Sequence, residues 1–423
     1  MREYEKKRFY YIGACALMLT LTYYILHRGN VPPAVPEYTP GQSVSWKDSG
    51  KEHVQYMKHP ALEKFFRKQQ PVFNDYTNER KKIILTFGEV MGHTYWWDVP
   101  HDFDFTEHDG TPCKYRHCKL VYDAYNYIPI ADAVLFHGQD VPPVTELKAF
   151  EKIPLTQLWV WMPSESPAYY NRKKMSLKPY HSVFNWTGSY RRDSDIWTPH
   201  FIVKPRTKDD PQIGKVDYAK GKDKMIIAII SNNCKSYRTQ FIRKLKQYIP
   251  VDVYGKCKSE FDPSLPDCEF GSEECKELQS RYKFTLSLEN AYCKDYVTEK
   301  FYLNGLSRGN VPIVLNRASM SDPEVAPPGS YIDILDFENL EVLADYLKKL
   351  AQNDEAYNKF HEWRQNYKLG SKNRMCTTCE ALWKREEQPL KKATLTKVDV
   401  EKFWSYEENC GSYDNELFQK YLR

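Results

Sequence analysis

Short apolar runs, each stopped by a polar cluster, recur along this chain from residue 82 onward. Lys82–Phe87 (KIILTF), Ala131–Phe136 (ADAVLF) and Gln157–Met162 (QLWVWM) form a first set. Met225–Ile230 (MIIAII), Val251–Tyr254 (VDVY), Phe284–Leu288 (FTLSL), Val311–Leu315 (VPIVL) and Tyr331–Ile334 (YIDI) form a second. Their length suits strands, and continuous rather than alternating apolarity is what strands covered on both faces require. Helical spacing shows after Arg238 (Phe241, Ile242, Leu245) and again at Leu340, Leu343, Leu347 and Leu350. Thr298 is placed to cap a helix running through Phe301 and Leu303 to Leu306, which Gly309 would end. Residues 281–316 then read as one βαβ unit, and such units build parallel sheets. The predicted class is α/β. Ligands of parallel sheets gather beyond the carboxyl ends of the strands, and that end here carries Glu289, Asn290, Tyr296, Glu299 and Lys300. Lys300, in the first turn beside free helix N–H groups, suits a phosphate. A βαβ unit with a merely solvated polar loop is the plainer alternative.

The N-terminal end has a different pattern. Phe9–Leu26 carries no charged residue and, as a helix, would span about 27 Å. Arg2, Lys6, Lys7 and Arg8 precede it, which puts the N-terminus in the cytosol. A cleaved signal peptide ending near Ala14-Cys15-Ala16 is the rival reading, but its apolar stretch would be short. The expected organisation is a cytosolic tail (1–8), a transmembrane signal anchor (9–26) and a polar, proline-bearing stem (27–80). An N-terminal domain (81–210), a C-terminal domain (211–385) and an extension (386–423) follow. A run dense in Lys, Asp and Gly at 204–224 marks the boundary between the two domains. With 61 basic and 56 acidic residues the net charge is +5, spread along the chain. That argues against nucleic acid as a partner, while a mildly basic surface still suits an anionic nucleotide.

Eleven cysteines fit an oxidising compartment. Cys15 falls in the anchor, and the ten that remain suit disulfides whose pairing the sequence leaves open. Cys113-x4-Cys118 and Cys376-x2-Cys379 could instead hold zinc. Glu165 lies between prolines just past an aromatic-rich strand, where burial would raise its pKa and make it a base; the alternative is a solvated surface carboxylate. Asn185-Trp186-Thr187 is a sequon and a candidate glycan acceptor. Asp193-Ser194-Asp195 has the spacing of a D-x-D metal site that would bridge a diphosphate through Mg²⁺ or Mn²⁺.

Tyr282-Lys-Phe, Glu289-Asn290, Asp295-Tyr-Val-Thr-Glu-Lys300 and Val311-Pro-Ile-Val together resemble the donor-binding motif of the α1,3/4-fucosyltransferases, glycosyltransferase family 10, in an invertebrate-like form. The likeness runs over roughly residues 82–380. It implies a GT-B fold: two Rossmann-like domains with a cleft between them, preceded by a single transmembrane helix and stem. The first domain would bind the acceptor glycan and the second GDP-fucose. It implies an inverting transfer of L-fucose to a GlcNAc hydroxyl, with Glu165 as general base and Lys300 and Arg238 stabilising the departing diphosphate. Ser231, Asn232, Asn290, Tyr296 and Glu299 would complete the donor site. No cofactor or metal would be required, although stimulation by a divalent cation stays open. The likeness makes Asp193–Asp195 a structural element, and ties Cys376 and Cys379 by disulfides to the N-terminal half, with Cys113 and Cys118 as partners. It further implies a single-pass type II Golgi membrane protein with a luminal catalytic part, a homodimer being left open. A metal-dependent transferase of another nucleotide sugar and a non-catalytic glycan-binding protein remain the alternatives. Neither the acceptor nor the role of Cys410 is legible.

Overall fold

β-Branched and aromatic side chains crowd the apolar runs, and in the computed structural model nearly all these runs pair into two parallel sheets. The structure describes residues 81–422 except 89, 91–95, 97–98, 100–102, 123, 148–156, 387–396 and 412–415. The predicted anchor and stem lie outside the described residues. Among those described, no helix is long and apolar enough to cross a membrane.

The first sheet contains β1 (Lys82–Phe87), β2 (Cys118–Val121), β3 (Ala133–His137), β4 (Leu158–Met162), β5 (Trp186–Ser189) and β6 (Ile196–Trp197), in the order 2-1-3-4-5-6. β7 (Ile202–Pro205) leaves this sheet. The second sheet contains β8 (Lys224–Ile229), β9 (Val251–Tyr254), β10 (Tyr282–Leu286), β11 (Val311–Val314) and β12 (Ile332–Asp333), in the order 12-11-10-8-9. A last strand, β13 (Tyr367–Gly370), returns antiparallel to β7. Central β10 is buried on both faces, with Phe284 opposite Ile226 on one side and Val311 on the other. That explains its unbroken apolar pattern.

Helix α1 (Pro167–Arg172) follows β4 directly, and its proline occupies the first turn, where a missing N–H costs nothing. α2 (Tyr237–Leu245) follows β8 and buries Phe241, Ile242 and Leu245. α3 (Glu299–Tyr302) is a single turn. α4 (Leu340–Ala351) is capped by Asn339, whose side chain accepts from the Val342 N–H, and it buries Leu343, Leu347 and Leu350 against the second sheet. Each such leucine is worth about 2 kcal/mol of transfer free energy. α5 (Arg374–Glu386) lies within the span expected for the C-terminal domain, yet Met375, Cys376, Cys379 and Leu382 pack into the core of the first sheet.

Two elements differ from the sequence reading. β10 starts at Tyr282 rather than Phe284, because Tyr282 pairs with Lys224 and its hydroxyl donates to Asp252 at 2.6 Å. Polar-looking residues are therefore part of the ladder. The helix expected from Thr298 to Gly309 stops at Tyr302 and resumes as a 3₁₀ turn at Leu306–Arg308. Thr298 makes no cap, since its hydroxyl is committed to Glu289. Gly305 lets the chain pass its neighbours: a Cβ there would lie 2.6 Å from the Phe301 carbonyl oxygen.

The ten cysteines among the described residues are paired. Cys113–Cys376 and Cys118–Cys379 pin α5 to the first sheet, which rules out the zinc reading of those four residues. Cys410, unexplained by sequence, is bonded to Cys293, and Cys234–Cys257 and Cys268–Cys275 are local bridges.

Candidate functional site

In the second sheet β9 lies on one side of β8 and β10 on the other, so strand order reverses between β8 and β10 and leaves a crevice beyond their carboxyl ends. Ser231 and Asn232 occupy the exposed turn after β8. Arg238, 2% exposed, spans the crevice: Nη2 donates to the Asn232 carbonyl at 2.9 Å and Nη1 to the Leu288 carbonyl at 3.4 Å. Its Nε has no partner among the described residues. The guanidinium thus braces the chain just beyond β8 and β10, and its charge works against that of Lys300.

The loop after β10 is built on Glu289. This buried carboxylate accepts from the Thr298 N–H at 2.8 Å and hydroxyl at 2.8 Å, and lies 3.2 Å from Lys300 Nζ. Lys300 Nζ also donates to Thr298 Oγ1 and to Glu299 Oε1, both at 2.8 Å. One ammonium thus serves two carboxylates. Burial works against the Lys300 charge, but Glu289 and Glu299 outweigh it and hold its pKa above the usual lysine value. Burial raises the inner carboxyl, Glu289, against the pull of Lys300. Burial also opposes the charge of the outer one, Glu299, but Lys300 prevails and its pKa falls. Glu289 was visible as a strand-end residue; its role as the hub of the loop was not.

Glu165, on the loop after β4 of the first sheet, meets this cluster from the opposite side. Burial raises its pKa, while Lys300 and Arg172 pull it down and the Tyr296 hydroxyl adds a smaller lowering. Its Oε2 is shielded from solvent with no partner among the described residues. Tyr296, expected to hold the donor, is itself buried, its ring packed on Tyr190 at 5.0 Å and His200 at 5.9 Å. It reaches Glu165 from within an aromatic cluster. His200 escaped the sequence reading because a lone histidine between a proline and a β-strand carries no pattern. Its Nε2 is sealed and unpartnered among the described residues, and burial holds its pKa down at about 4.

A cleft of about 340 Å³ opens between α1 of the first half and the start of α2 in the second; Glu165, Tyr296, Glu299 and Lys300 are not among its lining residues. Asn290 lines it, with Oδ1 unpartnered among the described residues, as does Arg172, which the sequence did not single out.

The D-x-D residues face different ways. Asp195 accepts from the Thr187 N–H at 2.8 Å, and Asp193 pairs with Arg191 at 2.6 Å and Lys294 at 3.0 Å. Burial would raise the Asp193 pKa, but these two cations bring it down to about 2. Both carboxylates are thus engaged by partners within the fold. Among the described residues no group of three or more His, Cys, Asp or Glu side chains could hold a metal. Asn185 is 5% exposed, and its Oδ1 accepts from the Trp159 N–H at 3.1 Å where β4 meets β5.

Known proteins resemble this sequence over much of its length. Residues 219–399 match the profile described as glycosyltransferase family 10 (fucosyltransferase) C-term, and residues 79–201 match fucosyltransferase, N-terminal. The 3-galactosyl-N-acetylglucosaminide 4-alpha-L-fucosyltransferase FUT3 of Bos taurus is 34% identical over 275 residues, 64% of this chain and 71% of that protein. Alpha-(1,3)-fucosyltransferase fut-5 of Caenorhabditis elegans is 32% identical over 273 residues, 62% of this chain and 70% of its own length. A crystal structure of an α1,3-fucosyltransferase with GDP-fucose superposes at a TM-score of 0.45 and 16% identity, over 79% of this chain and 97% of that one. On the strength of the two profiles and the relatives above 30% identity, the chain belongs to glycosyltransferase family 10, the fucosyltransferases.

Proposed function

We propose that this chain is an α1,3-fucosyltransferase that moves L-fucose from GDP-β-L-fucose to a GlcNAc hydroxyl of a glycoprotein or glycolipid glycan, with inversion at the anomeric carbon. The observation that carries the reading is the meeting of Glu165, from the first sheet, with Tyr296, Glu299 and Lys300, from the loop of the second. The two sheets act as the halves of a GT-B enzyme, the first taking the acceptor and the second the donor. Glu165 removes the acceptor hydroxyl proton as that oxygen attacks C1 of fucose, and the bond from C1 to the diphosphate breaks on the opposite face. A partly desolvated carboxylate with a raised pKa suits a base that must take up a proton near neutrality. Negative charge grows on the leaving diphosphate, where Lys300 stabilises it and Arg238 adds its field from below. Glu299 keeps the ammonium charged and in place. No step calls on a metal ion. We place the enzyme in the Golgi membrane as a single-pass type II protein, its catalytic part in the lumen.

The test is transfer from radiolabelled GDP-fucose by the full chain to a panel of acceptor glycans in EDTA, beside Glu165→Gln and Lys300→Ala. Transfer that survives EDTA and collapses in both variants is expected. Activity abolished by EDTA would favour a metal-dependent enzyme, and activity untouched by Glu165→Gln would reject the base. Binding without turnover on every acceptor would point to a glycan- or nucleotide-binding protein.

A further inference from the structure

The profile match ends at residue 399, but described residues beyond it, among them Tyr406 and Gln419, line the cleft. Val398 N–H donates to the Phe184 carbonyl at 2.9 Å, and Trp404 packs edge-on against Trp161 at 5.4 Å, so this segment first follows the half that bears Glu165. Arg191 stacks 4.1 Å over the Phe403 ring and donates to Asn409 Oδ1 at 2.6 Å. The segment then crosses to the donor loop. Cys410 is bonded to Cys293, with the Lys294 N–H donating to the Asn409 carbonyl and the Gly411 N–H to the Tyr292 carbonyl, both at 2.8 Å. This is a short antiparallel bridge fixed covalently onto the loop that leads to Tyr296 and Lys300. Two more helices, α6 (Tyr406–Asn409) and α7 (Glu416–Leu422), put Tyr406 and Gln419 on the cleft wall, and the Tyr421 hydroxyl anchors α7 to the Ile334 and Phe337 carbonyls.

Opposite this wall stands the start of α2. Its N-cap Ser236 is 8% exposed, makes no cap bond, and has an Oγ with no partner among the described residues. A helix N-terminus with a sealed, unused hydroxyl, facing a cation at Arg172 and an unpartnered amide oxygen at Asn290, fits a phosphorylated, hydroxyl-rich ligand.

We infer that the C-terminal segment forms the outer wall of the donor side of the cleft, with Tyr406 and Gln419 as specificity-determining residues and Cys293–Cys410 as the tether that holds this wall to the donor loop. The inference rests on the donor reading given under Proposed function. Through the tether, the position of the wall and that of the loop depend on each other, so loosening one costs donor affinity rather than acceptor affinity.

The experiment measures GDP binding by calorimetry, and donor and acceptor KM in transfer assays, on the full chain. The variants are Cys293→Ser, Cys410→Ser, the two together, Gln419→Glu and Gln419→Asn. Each cysteine variant is expected to raise donor KM and GDP Kd about fivefold or more, with acceptor KM within about twofold. The double variant should add nothing to either single one, since each already breaks the same bridge. Gln419→Glu should weaken GDP binding about fivefold by setting a carboxylate against the diphosphate, and Gln419→Asn should lose less. Unchanged donor KM across the set, additive cysteine effects, or a shift confined to acceptor KM would overturn the inference. If the cysteine variants fail to fold, the two Gln419 variants decide alone. A wild-type chain that transfers fucose while its variants behave identically rejects the wall alone. A wild-type chain that neither binds GDP nor transfers fucose rejects the donor reading, and the wall with it.

Discussion

Replacing Lys300 by methionine removes the one ammonium shared by Glu289 and Glu299 while keeping the length of the side chain. Glu289 is 9% exposed and already raised in pKa by burial, so it will not remain charged without its partner. It escapes by taking a proton. From its ordinary value of 4.5, protonation at pH 7 costs about 1.4 kcal/mol per pH unit, or about 3.4 kcal/mol in all. This agrees with the loss of about 3–5 kcal/mol expected for a broken buried ion pair. The sign follows from linkage: a carboxyl raised in the folded state destabilises above its unfolded pKa, and the penalty grows as pH rises. Denaturant unfolding of Lys300→Met against wild type should therefore show a deficit of about 3 kcal/mol at pH 7, shrinking below about 1 kcal/mol at pH 5. Adding Glu289→Gln removes the stranded charge and should recover most of the stability at pH 7. Transfer should stay lost, because the cation beside the leaving diphosphate is still missing. Equal deficits at both pH values would refute the buried-carboxylate account. Restored transfer in the double variant would refute the catalytic role of Lys300.

Glu165→Gln should reduce transfer by about 10²–10⁴-fold while leaving GDP affinity within about twofold, as read by calorimetry. Since burial raises the Glu165 pKa, the acid limb of kcat/KM in the wild type should lie above 4.5, with activity falling as pH drops through it; a limb at or below that value contradicts the burial argument. Cys113→Ser and Cys118→Ser together free α5 from the first sheet by opening both links, between residues 263 and 261 apart, and should cost about 2–5 kcal/mol in denaturant unfolding; an unchanged midpoint would mean packing alone holds the helix. His200 is held at about 4 against 6.5 when unfolded, so its contribution is present above pH 6.5 and lost as pH falls toward 4. His200→Phe should therefore lose less stability than wild type over that window, and parallel pH profiles would rule this out.

The parts of the fold that could be read from sequence are those where one residue's environment is set by its neighbours in the chain. Lys82–Phe87 and Val251–Tyr254 pair as strands over the full predicted ranges, because continuous apolar runs have one place to go in an α/β protein. Arg238 behaved differently. Its position on the first turn of α2 was legible, but not that its fork would be used on the carbonyls of Asn232 and of Leu288, the latter 50 residues away in sequence. The same holds for Asp193 and Asp195, whose spacing suggests a chelate and whose actual partners, Lys294 and Thr187, come from the donor loop and from β5. Cys410 needed a partner 117 residues away. In each case local spacing identified a capable side chain, and tertiary pairing decided what it does.

The same logic explains why Glu165 was found for a reason that the structure extends. A carboxylate between prolines after a buried strand is predicted to be constrained, but constraint alone does not raise a pKa; desolvation does, and that is set by tertiary packing. Tyr296 and its packing on Tyr190 and His200 close the site from the donor side, so the environment of the base is complete only when the donor loop is in place. On the proposed roles, acceptor activation and donor binding are linked through Tyr296. A change at Tyr296 should therefore move the acid limb assigned to Glu165 together with donor KM, whereas a residue serving the nucleotide alone would move only the second. Tyr296→Phe, which keeps the ring and removes the hydroxyl that lowers the Glu165 pKa, should shift that limb upward; a limb that stays put would separate the two functions.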